Sequence, residues 1–290
     1  MNPISGLLLA LAVLTAIYIV AWSRLENGPS VASILTGPMT NFLDALGIGS
    51  FATSTAIFRA LKMVPDRLIP GTLNAGHTLP TVAQAFIFTA LIPVDVLTLF
   101  SMIAAAVAGA WLGAGIVAKW SKRRVQLGMG MALLAAAIFF TMRNLHLFPA
   151  GSNEIGVRGP LLIAAVGGNF LLGALMSLGI GLYAPCMVLV SLLGMSEATA
   201  FPIMMGSCAF LMPVGSLKFI RERAYVGAVA LGLAIGGIPA VLVAGLIVKS
   251  LDLTTVRWLV IVVVLYTAAT MLYAAFAQRE TVADEVPARS

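Results

Sequence analysis

The sequence predicts an all-α polytopic membrane protein with about seven full transmembrane helices and two broken, re-entrant helical hairpins in an inverted-topology repeat. Three observations lead to this fold class: an apolar composition, apolar segments of spanning length, and one glycine-broken segment that occurs twice. Of 290 residues, 60% are hydrophobic and 10% are charged, whereas soluble domains carry roughly 25% charged residues. Spanning the hydrocarbon core takes about 20 residues. We therefore predict that residues 1–290 form a single membrane domain.

The predicted full spans alternate with short charged loops. They are residues 3–22, 68–92, 96–118, 125–147, 198–217, 225–248 and 256–277. No basic residue precedes the first span, so we predict a retained first helix and not a cleaved signal peptide. The predicted organisation is a first helix and loop (1–30), repeat one (31–147), repeat two (159–277) and a polar C-terminal tail (278–290).

The duplication covers 33 residues. Residues 44–76 recur 132 positions later as 176–208, with eight identities. Both copies interrupt an apolar segment with Leu-Gly-Ile-Gly, at 46–49 and at 178–181. Repeated, glycine-interrupted membrane segments are typical of the substrate site of secondary transporters.

The two interrupted segments, 31–61 and 161–193, are too long for one simple span. They either cross once or return as re-entrant hairpins. The 17 Lys and Arg residues split 9 to 8 between the two sides if both segments cross, but 13 to 4 if both return. Because cytoplasmic loops carry an excess of Lys and Arg, we predict hairpins, an external N-terminus and a cytoplasmic C-terminus. The first arm of the second hairpin, about 27 Å long, is nearly long enough to cross.

A hairpin tip at membrane depth leaves backbone N–H groups unpaired where the second arm begins. Those groups and the helix dipole form a potential anion site. The second arms begin near Ser50 and near Tyr183, and inverted symmetry predicts that the two starts meet near the membrane midplane. Alternatively, the glycines only permit close helix packing. We read the pairs Gly109/Gly113 and Gly232/Gly236 in that simpler way, as packing within the chain.

Polar side chains follow one face of the span after the first hairpin and continue into the hairpin arms. Asp44 is the only acid that we place well inside a membrane segment, and such residues are usually functional. Asp44 or His77 would carry a coupled proton, although each could instead make a structural hydrogen bond. The candidate substrate-binding residues are Asn41, Gly47, Gly49, Ser50, Thr53, Asn74, Gln84, Asn169, Gly179, Gly181 and Tyr183.

Metal and cofactor chemistry find little support in the sequence. Cys186 and Cys208 do not have metal-ligand spacing, and His77 and His146 are far apart. We therefore predict no metal, no cofactor and buried free thiols that pack as small hydrophobic groups. A thiol with a role in sulfur chemistry is the weaker alternative.

The apolar composition and the paired glycine breaks resemble the TauE/SafE family of sulfite-exporter-type permeases. Each break is followed by a proline-containing helix (Leu68–Gly76 and Ala200–Cys208), and a late Gly-Leu-Ile-Val-Lys-Ser-Leu stretch (245–251) adds to the likeness. The family's first break is typically Gly-x-Gly-Gly-Gly, whereas this chain has Gly-Ile-Gly-Ser and Gly-Ile-Gly-Leu. The resemblance implies a permease for sulfite, sulfonates or related organic sulfur anions.

We expect a secondary transporter for a small anion in the cell (inner) membrane. The sequence contains no nucleotide-binding motif, so a gradient must drive transport, and its basic residues do not indicate a nucleic-acid partner. A passive anion channel is the alternative. An intramembrane enzyme is a weaker one, because no catalytic pair or nucleophile is placed by spacing. The expected partners are a small anionic substrate and the lipid bilayer, and the sequence does not indicate an oligomeric state.

Overall fold

The computed structural model describes residues 3–22, 28–147, 153–179, 181–247 and 253–281. These residues form α-helices joined by short turns. In chain order the helices are α1 (Pro3–Trp22), α2 (Val31–Ala45), α3 (Ser50–Ala60), α4 (Ile69–Leu91), α5 (Val96–Val117), α6 (Lys122–Asn144), α7 (Gly159–Met176), α8 (Tyr183–Leu192), α9 (Ala200–Arg221), α10 (Gly227–Ile247) and α11 (Leu253–Thr281). Each predicted span corresponds to one of these helices. Arg24, Lys249 and the tail after residue 281 lie outside the described residues.

Five described helices are long and apolar enough to cross a membrane: α1, α5, α7, α9 and α10. This is the composition of a membrane-embedded protein. Helix α4 has the length of a span, but its row of polar side chains makes it less apolar. Helix α7, with 18 residues, is about 27 Å long, so the first arm of the second broken segment has nearly the length of a crossing, as its sequence indicates.

Both interrupted segments are broken helices, as predicted. α2 and α3 are separated at residues 46–49, and α7 and α8 at residues 177–182. Gly47, Gly49 and Gly179 have φ values of +77°, +91° and +87°, which L side chains rarely adopt. Each break also contains an equivalent hydrogen bond. The N–H of Gly47 donates to the Asp44 carbonyl, and the N–H of Gly179 donates to the Met176 carbonyl, both at 2.9 Å.

The helices of the two halves pair in matching ways. α4 and α9 pack together at the centre; α5 covers α9, and α10 covers α4. α2 lies on α10 as α7 lies on α5, and α6 packs on α11. α3 contacts α11 as α8 contacts α6. Exchanging the two halves therefore leaves this pattern of contacts unchanged.

The second broken segment begins and ends at the same end of the helix bundle. The Ser196 N–H, after α8, donates to the Glu154 carbonyl, before α7, at 2.8 Å. The same end carries the start of α5, because the Asp95 N–H donates to the Ile155 carbonyl at 2.9 Å. The chain therefore runs away from this end of the bundle along α7 and returns to the same end along α8.

An ion pair fixes this end of the bundle. The Arg158 guanidinium donates to both carboxylate oxygens of Asp95, each at 2.6 Å. Asp95 also caps α5, accepting from the N–H and hydroxyl of Thr98 at 2.8 Å. Arg158, followed by the hydrogen bonds from Thr98, holds the pKa of the Asp95 carboxyl well below its usual range. The pair joins the start of α5 to the start of α7.

The first broken segment begins and ends near the start of α4, at the opposite end of the bundle from the ends of the second. The Val226 N–H, just before α10, donates to the Thr72 hydroxyl near the start of α4 at 2.9 Å. Gly232 of α10 lies against Ser33, two residues into α2. The starts of α2, α4 and α10 are thus close together, and α3 ends just before α4. Both ends of this segment therefore lie beside the start of α4, whereas those of the second lie beside its end.

The glycine pairs serve packing within the chain, as predicted. A Cβ atom at Gly109 would meet the Phe170 carbonyl oxygen of α7, and one at Gly236 would meet the Ile34 carbonyl oxygen of α2. A Cβ atom at Gly113 would meet the Ala174 carbonyl oxygen of α7, and one at Gly232 would meet the Ser33 side chain of α2. Small residues thus let α5 approach α7, and α10 approach α2, to backbone contact.

Candidate functional site

The two helix breaks meet at a small buried cavity. Its volume is about 10 Å³, close to the minimum for one water molecule. Four pairs of lining residues are 132 positions apart: Asp44 and Met176, Gly49 and Gly181, Ser50 and Leu182, and Phe51 and Tyr183. Thr81, Cys208 and Met212 complete the lining. The starts of the second arms therefore come together, as the sequence predicts.

Asp44 caps the second arm of the first hairpin. One carboxylate oxygen accepts from the Ser50 N–H at 2.6 Å, and the other accepts from the Gln84 side-chain amide at 2.9 Å. Asp44 is 3% exposed, so both bonds compensate for lost hydration. The sequence-based expectation of unpaired N–H groups at the start of α3 needs correction here, because the first of them is already bound to an anion that belongs to the protein.

Gln84 connects the two hairpins. Its amide nitrogen donates to Asp44, and its amide oxygen accepts from the Tyr183 hydroxyl at 2.6 Å. This assignment follows from the hydrogen-bond network: an ionised Asp44 carboxylate only accepts, so the amide nitrogen faces Asp44 and the amide oxygen faces the Tyr183 hydroxyl. A chain of three buried side chains therefore runs from the tip of the first hairpin to the first residue of α8.

Tyr183 begins α8, and the residue before it, Leu182, makes no side-chain capping hydrogen bond. The position equivalent to Asp44 is occupied by Met176, which has no carboxylate. Pro185 stands in its first turn, where a missing N–H has no cost. The two hairpin tips are therefore similar in position and different in charge, because the first carries a carboxylate and the second does not.

His77 is held by hydrogen bonds at both ring nitrogens. Asn41 donates its amide N–H to the Gly37 carbonyl at 2.8 Å, which leaves its oxygen to accept from His77 Nδ1 at 2.9 Å. His77 Nε2 then accepts from the Ser54 hydroxyl at 2.9 Å. A neutral imidazole satisfies all of these bonds. The geometry therefore suits a structural link between α2, α3 and α4.

No protein-family model, curated protein or solved structure compared with this chain matches it. The resemblance to the TauE/SafE family accordingly stays a prediction from the motifs.

The structure places several predicted site residues outside the cavity lining. Asn74 donates to the Pro70 carbonyl of its own helix at 2.8 Å, and the Thr53 hydroxyl donates to the Ser50 carbonyl at 3.0 Å. Asn169 donates to the Met102 carbonyl and the Ser207 hydroxyl at 2.7 and 2.9 Å, linking α7 to α5 and α9. Gly47 and Gly179 shape the turns, and Asn41 accepts a hydrogen bond from His77, which lies outside the cavity lining.

Some lining residues are absent from the predicted set. Phe51 had an available signal, because it is the counterpart of Tyr183 in the duplicated segment. Thr81 had another, since it shares the helical face of His77 and Gln84. Met176 had the same kind of signal, because it is the counterpart of Asp44 in the duplicated segment, whereas Met212 has none. Cys208 is buried, as predicted for both thiols, and its sulfur lies 3.6 Å from that of Met176.

Proposed function

We propose that this protein is a secondary transporter for a small anion, which binds between the two hairpin tips. The observation that carries the proposal is the cavity lined by equivalent residues of both breaks. Glycine-broken helices that meet in the middle of a membrane bundle are a common way to build a transporter site. The coupled ion is a proton, and Asp44 carries it.

The supporting architecture is an inverted repeat with re-entrant hairpins. The helix pairings are unchanged when the two halves are exchanged, and the two hairpins open at opposite ends of α4. Each repeat then contributes one hairpin and three spans, so the second repeat is inverted relative to the first. Rocking one half against the other would expose the same site alternately to the two sides.

Asp44 provides the coupling because its carboxylate already occupies the anion position at the start of α3. Two unit charges 4 Å apart repel by about 4 kcal/mol at an effective dielectric constant of 20. A substrate anion beside an ionised Asp44 would lose most of its binding energy to this repulsion. Protonation of Asp44 removes the charge, so the anion and the proton bind together and are transported in the same direction.

The Gln84 amide would relay this protonation to the second hairpin. An ionised Asp44 accepts from the Gln84 amide nitrogen, as in the structure. A protonated Asp44 would instead donate to the Gln84 amide oxygen, and the amide would rotate. Its nitrogen would then face Tyr183, whose hydroxyl would be released from the bond that it now makes. The freed hydroxyl would donate to the substrate.

The site favours a singly charged, weakly basic anion. None of the residues that line the cavity is Lys or Arg, so neutral donors must replace the hydration of the anion. A dianion would lose far more hydration than these groups return. Sulfonate and bisulfite satisfy this condition, and they agree with the substrates that the TauE/SafE resemblance implies. Because the cavity holds about one water molecule, the hairpins must separate before substrate enters.

The test measures binding and transport of radiolabelled sulfite and of methanesulfonate in proteoliposomes that contain wild-type protein, D44N or a control. We expect wild-type binding to weaken as pH rises, because Asp44 ionises. The D44N protein should bind the anion equally well as pH rises, but it should no longer accumulate the anion in response to a pH gradient. The control is Gly167→Val, since a Cβ at Gly167 meets no atom within 4 Å.

Counterflow distinguishes a carrier from a channel. Wild-type protein should exchange external label for unlabelled internal anion in a saturable manner. Linear, non-saturable flux would instead indicate the passive channel, and chemical conversion of the anion would indicate an enzyme. A D44N protein that still accumulates anion along a pH gradient would remove Asp44 from the coupling mechanism.

A further inference from the structure

A second candidate site lies on the outer surface of α5 and α9, away from the hairpin tips. An apolar groove of about 610 Å³ runs between α1, α5 and α9. On α5 its lining extends from Phe100 to Leu112, which covers about 18 Å at 1.5 Å per residue. That is more than half of the roughly 30 Å hydrocarbon core. Trp111 and Leu112 are half exposed, at 52% and 49%, so the groove opens outwards.

A basic pocket adjoins the groove where α5 and α9 end. Its volume is about 530 Å³, and its lining consists of Gly115, Lys119, Lys218, Arg221 and Glu222. Three of these residues are cationic and one is anionic. Glu222 lies 3.8 Å from Lys119, so the charges of the other two cations are not offset within the pocket.

Trp111 and Lys218 join the groove to the pocket. The Lys218 ammonium lies 3.8 Å from the centre of the Trp111 ring and donates to the Trp111 carbonyl at 2.6 Å. Trp111 lines the groove, and Lys218 lines the pocket. An ammonium group has three N–H donors, and the carbonyl uses one. The remaining donors lie where the apolar groove meets the basic pocket.

We propose that an anionic glycerophospholipid binds here, with an acyl chain in the apolar groove and its phosphate at Lys218 and Arg221. The occupant follows from charge and shape together, because an apolar channel of this length ends at a net positive pocket. Guanidinium groups bind phosphate through two parallel hydrogen bonds, and basic pockets between transmembrane helices recognise anionic headgroups. The site is independent of the proposed transport function.

The test is native mass spectrometry of the full chain in detergent, titrated with phosphatidylglycerol or phosphatidylcholine that carry the same acyl chains. We expect wild-type protein to prefer phosphatidylglycerol. R221Q and K218Q should each weaken phosphatidylglycerol binding about fivefold and leave phosphatidylcholine binding nearly unchanged. R67Q is the matched control, since Arg67 is an exposed arginine outside the pocket lining.

A108W tests the groove separately, because Ala108 is exposed and lines it. This substitution should reduce binding of both lipids. Inorganic phosphate should not compete with phosphatidylglycerol at equal concentration. Equal wild-type affinity for the two lipids would overturn the proposal, as would R221Q and K218Q both behaving like R67Q. Effective competition by inorganic phosphate would show that the pocket binds free anions and not a lipid.

Discussion

At the residue scale, two buried polar networks on α4 have different chemistry. The Asp44 network is centred on a carboxyl group, whose protonation would change which groups donate hydrogen bonds. The His77 network is satisfied by a neutral ring. Both residues were proton-coupling candidates from the sequence. Their hydrogen-bond partners favour Asp44 for coupling and His77 for holding the first hairpin against α4.

Ser54→Ala tests this distinction. The substitution leaves His77 Nε2 buried without a donor, so we expect a loss of about 1–3 kcal/mol in the free energy of unfolding. The pH dependence of anion binding should stay as in the wild type, because Asp44 is unaltered. Thermal unfolding in detergent and pH-dependent binding measure the two effects. A variant that loses the pH dependence would place the coupled proton on the His77 network.

At the element scale, glycine contacts set the distances between helix pairs. Gly173 of α7 lies against the Ala106 carbonyl group of α5, whereas Gly167 of the same helix has open space around its Cβ position. The sequence shows both as glycines in an apolar helix and does not separate them. Only the position of the partner helix determines at which of the two glycines an added side chain would collide with a neighbouring backbone.

We predict that Gly173→Val lowers the thermal unfolding temperature strongly, because a side chain there forces two backbones apart. The expected cost is at least about 1–3 kcal/mol, typical of overpacking. Gly167→Val should change stability little, because its Cβ position has open space around it. It is a matched control, since both variants add the same valine to the same helix. Equal unfolding temperatures for the two variants would contradict the close approach of α5 and α7.

The Asp95–Arg158 pair predicts a pH effect on stability. The pKa of Asp95 is lower in the folded protein than in the unfolded chain, so the pair stabilises the fold at pH values above the ordinary aspartate pKa, near about 3.9. This contribution is lost as pH falls through the lower, folded value. The Arg158→Gln protein should therefore unfold at a lower temperature than the wild-type protein at neutral pH. The difference in unfolding temperature between the two proteins should shrink in acid. A difference that grows in acid would refute the predicted contribution of the pair.

At the scale of the whole molecule, the two hairpins and their opposite directions define the proposed topology. The described contacts bring both ends of each broken segment together. A membrane around the helices would then place the ends of the first hairpin on one side and those of the second on the other. In the proposed topology, the charge split of 13 to 4 would put the side of the first hairpin in the cytoplasm.

Labelling of single cysteines tests this topology, in a background with Cys186 and Cys208 replaced by alanine. Gly28 and Lys62 are exposed and flank the first hairpin, so cysteines there should react with a membrane-impermeant maleimide only from the cytoplasmic side. A cysteine at Asn153, which is exposed and precedes the second hairpin, should react only from the outside. Reaction of positions 28 and 62 from opposite sides would show that α2 and α3 cross the membrane.

The sequence by itself determined that the chain is all-α and of membrane type, where the helices lie and where both breaks fall. These follow from local chemistry: apolar length fixes a span, and a Gly-Ile-Gly interruption ends a helix wherever it occurs. The repeat also predicted that Ser50 and Tyr183 would meet. Only the tertiary structure decided that Asp44 binds the Ser50 N–H, that Gln84 joins it to Tyr183, and that Asn74 and Asn169 bond elsewhere. Hydrogen-bond partners depend on which helix faces which, and spacing along one helix does not contain that information.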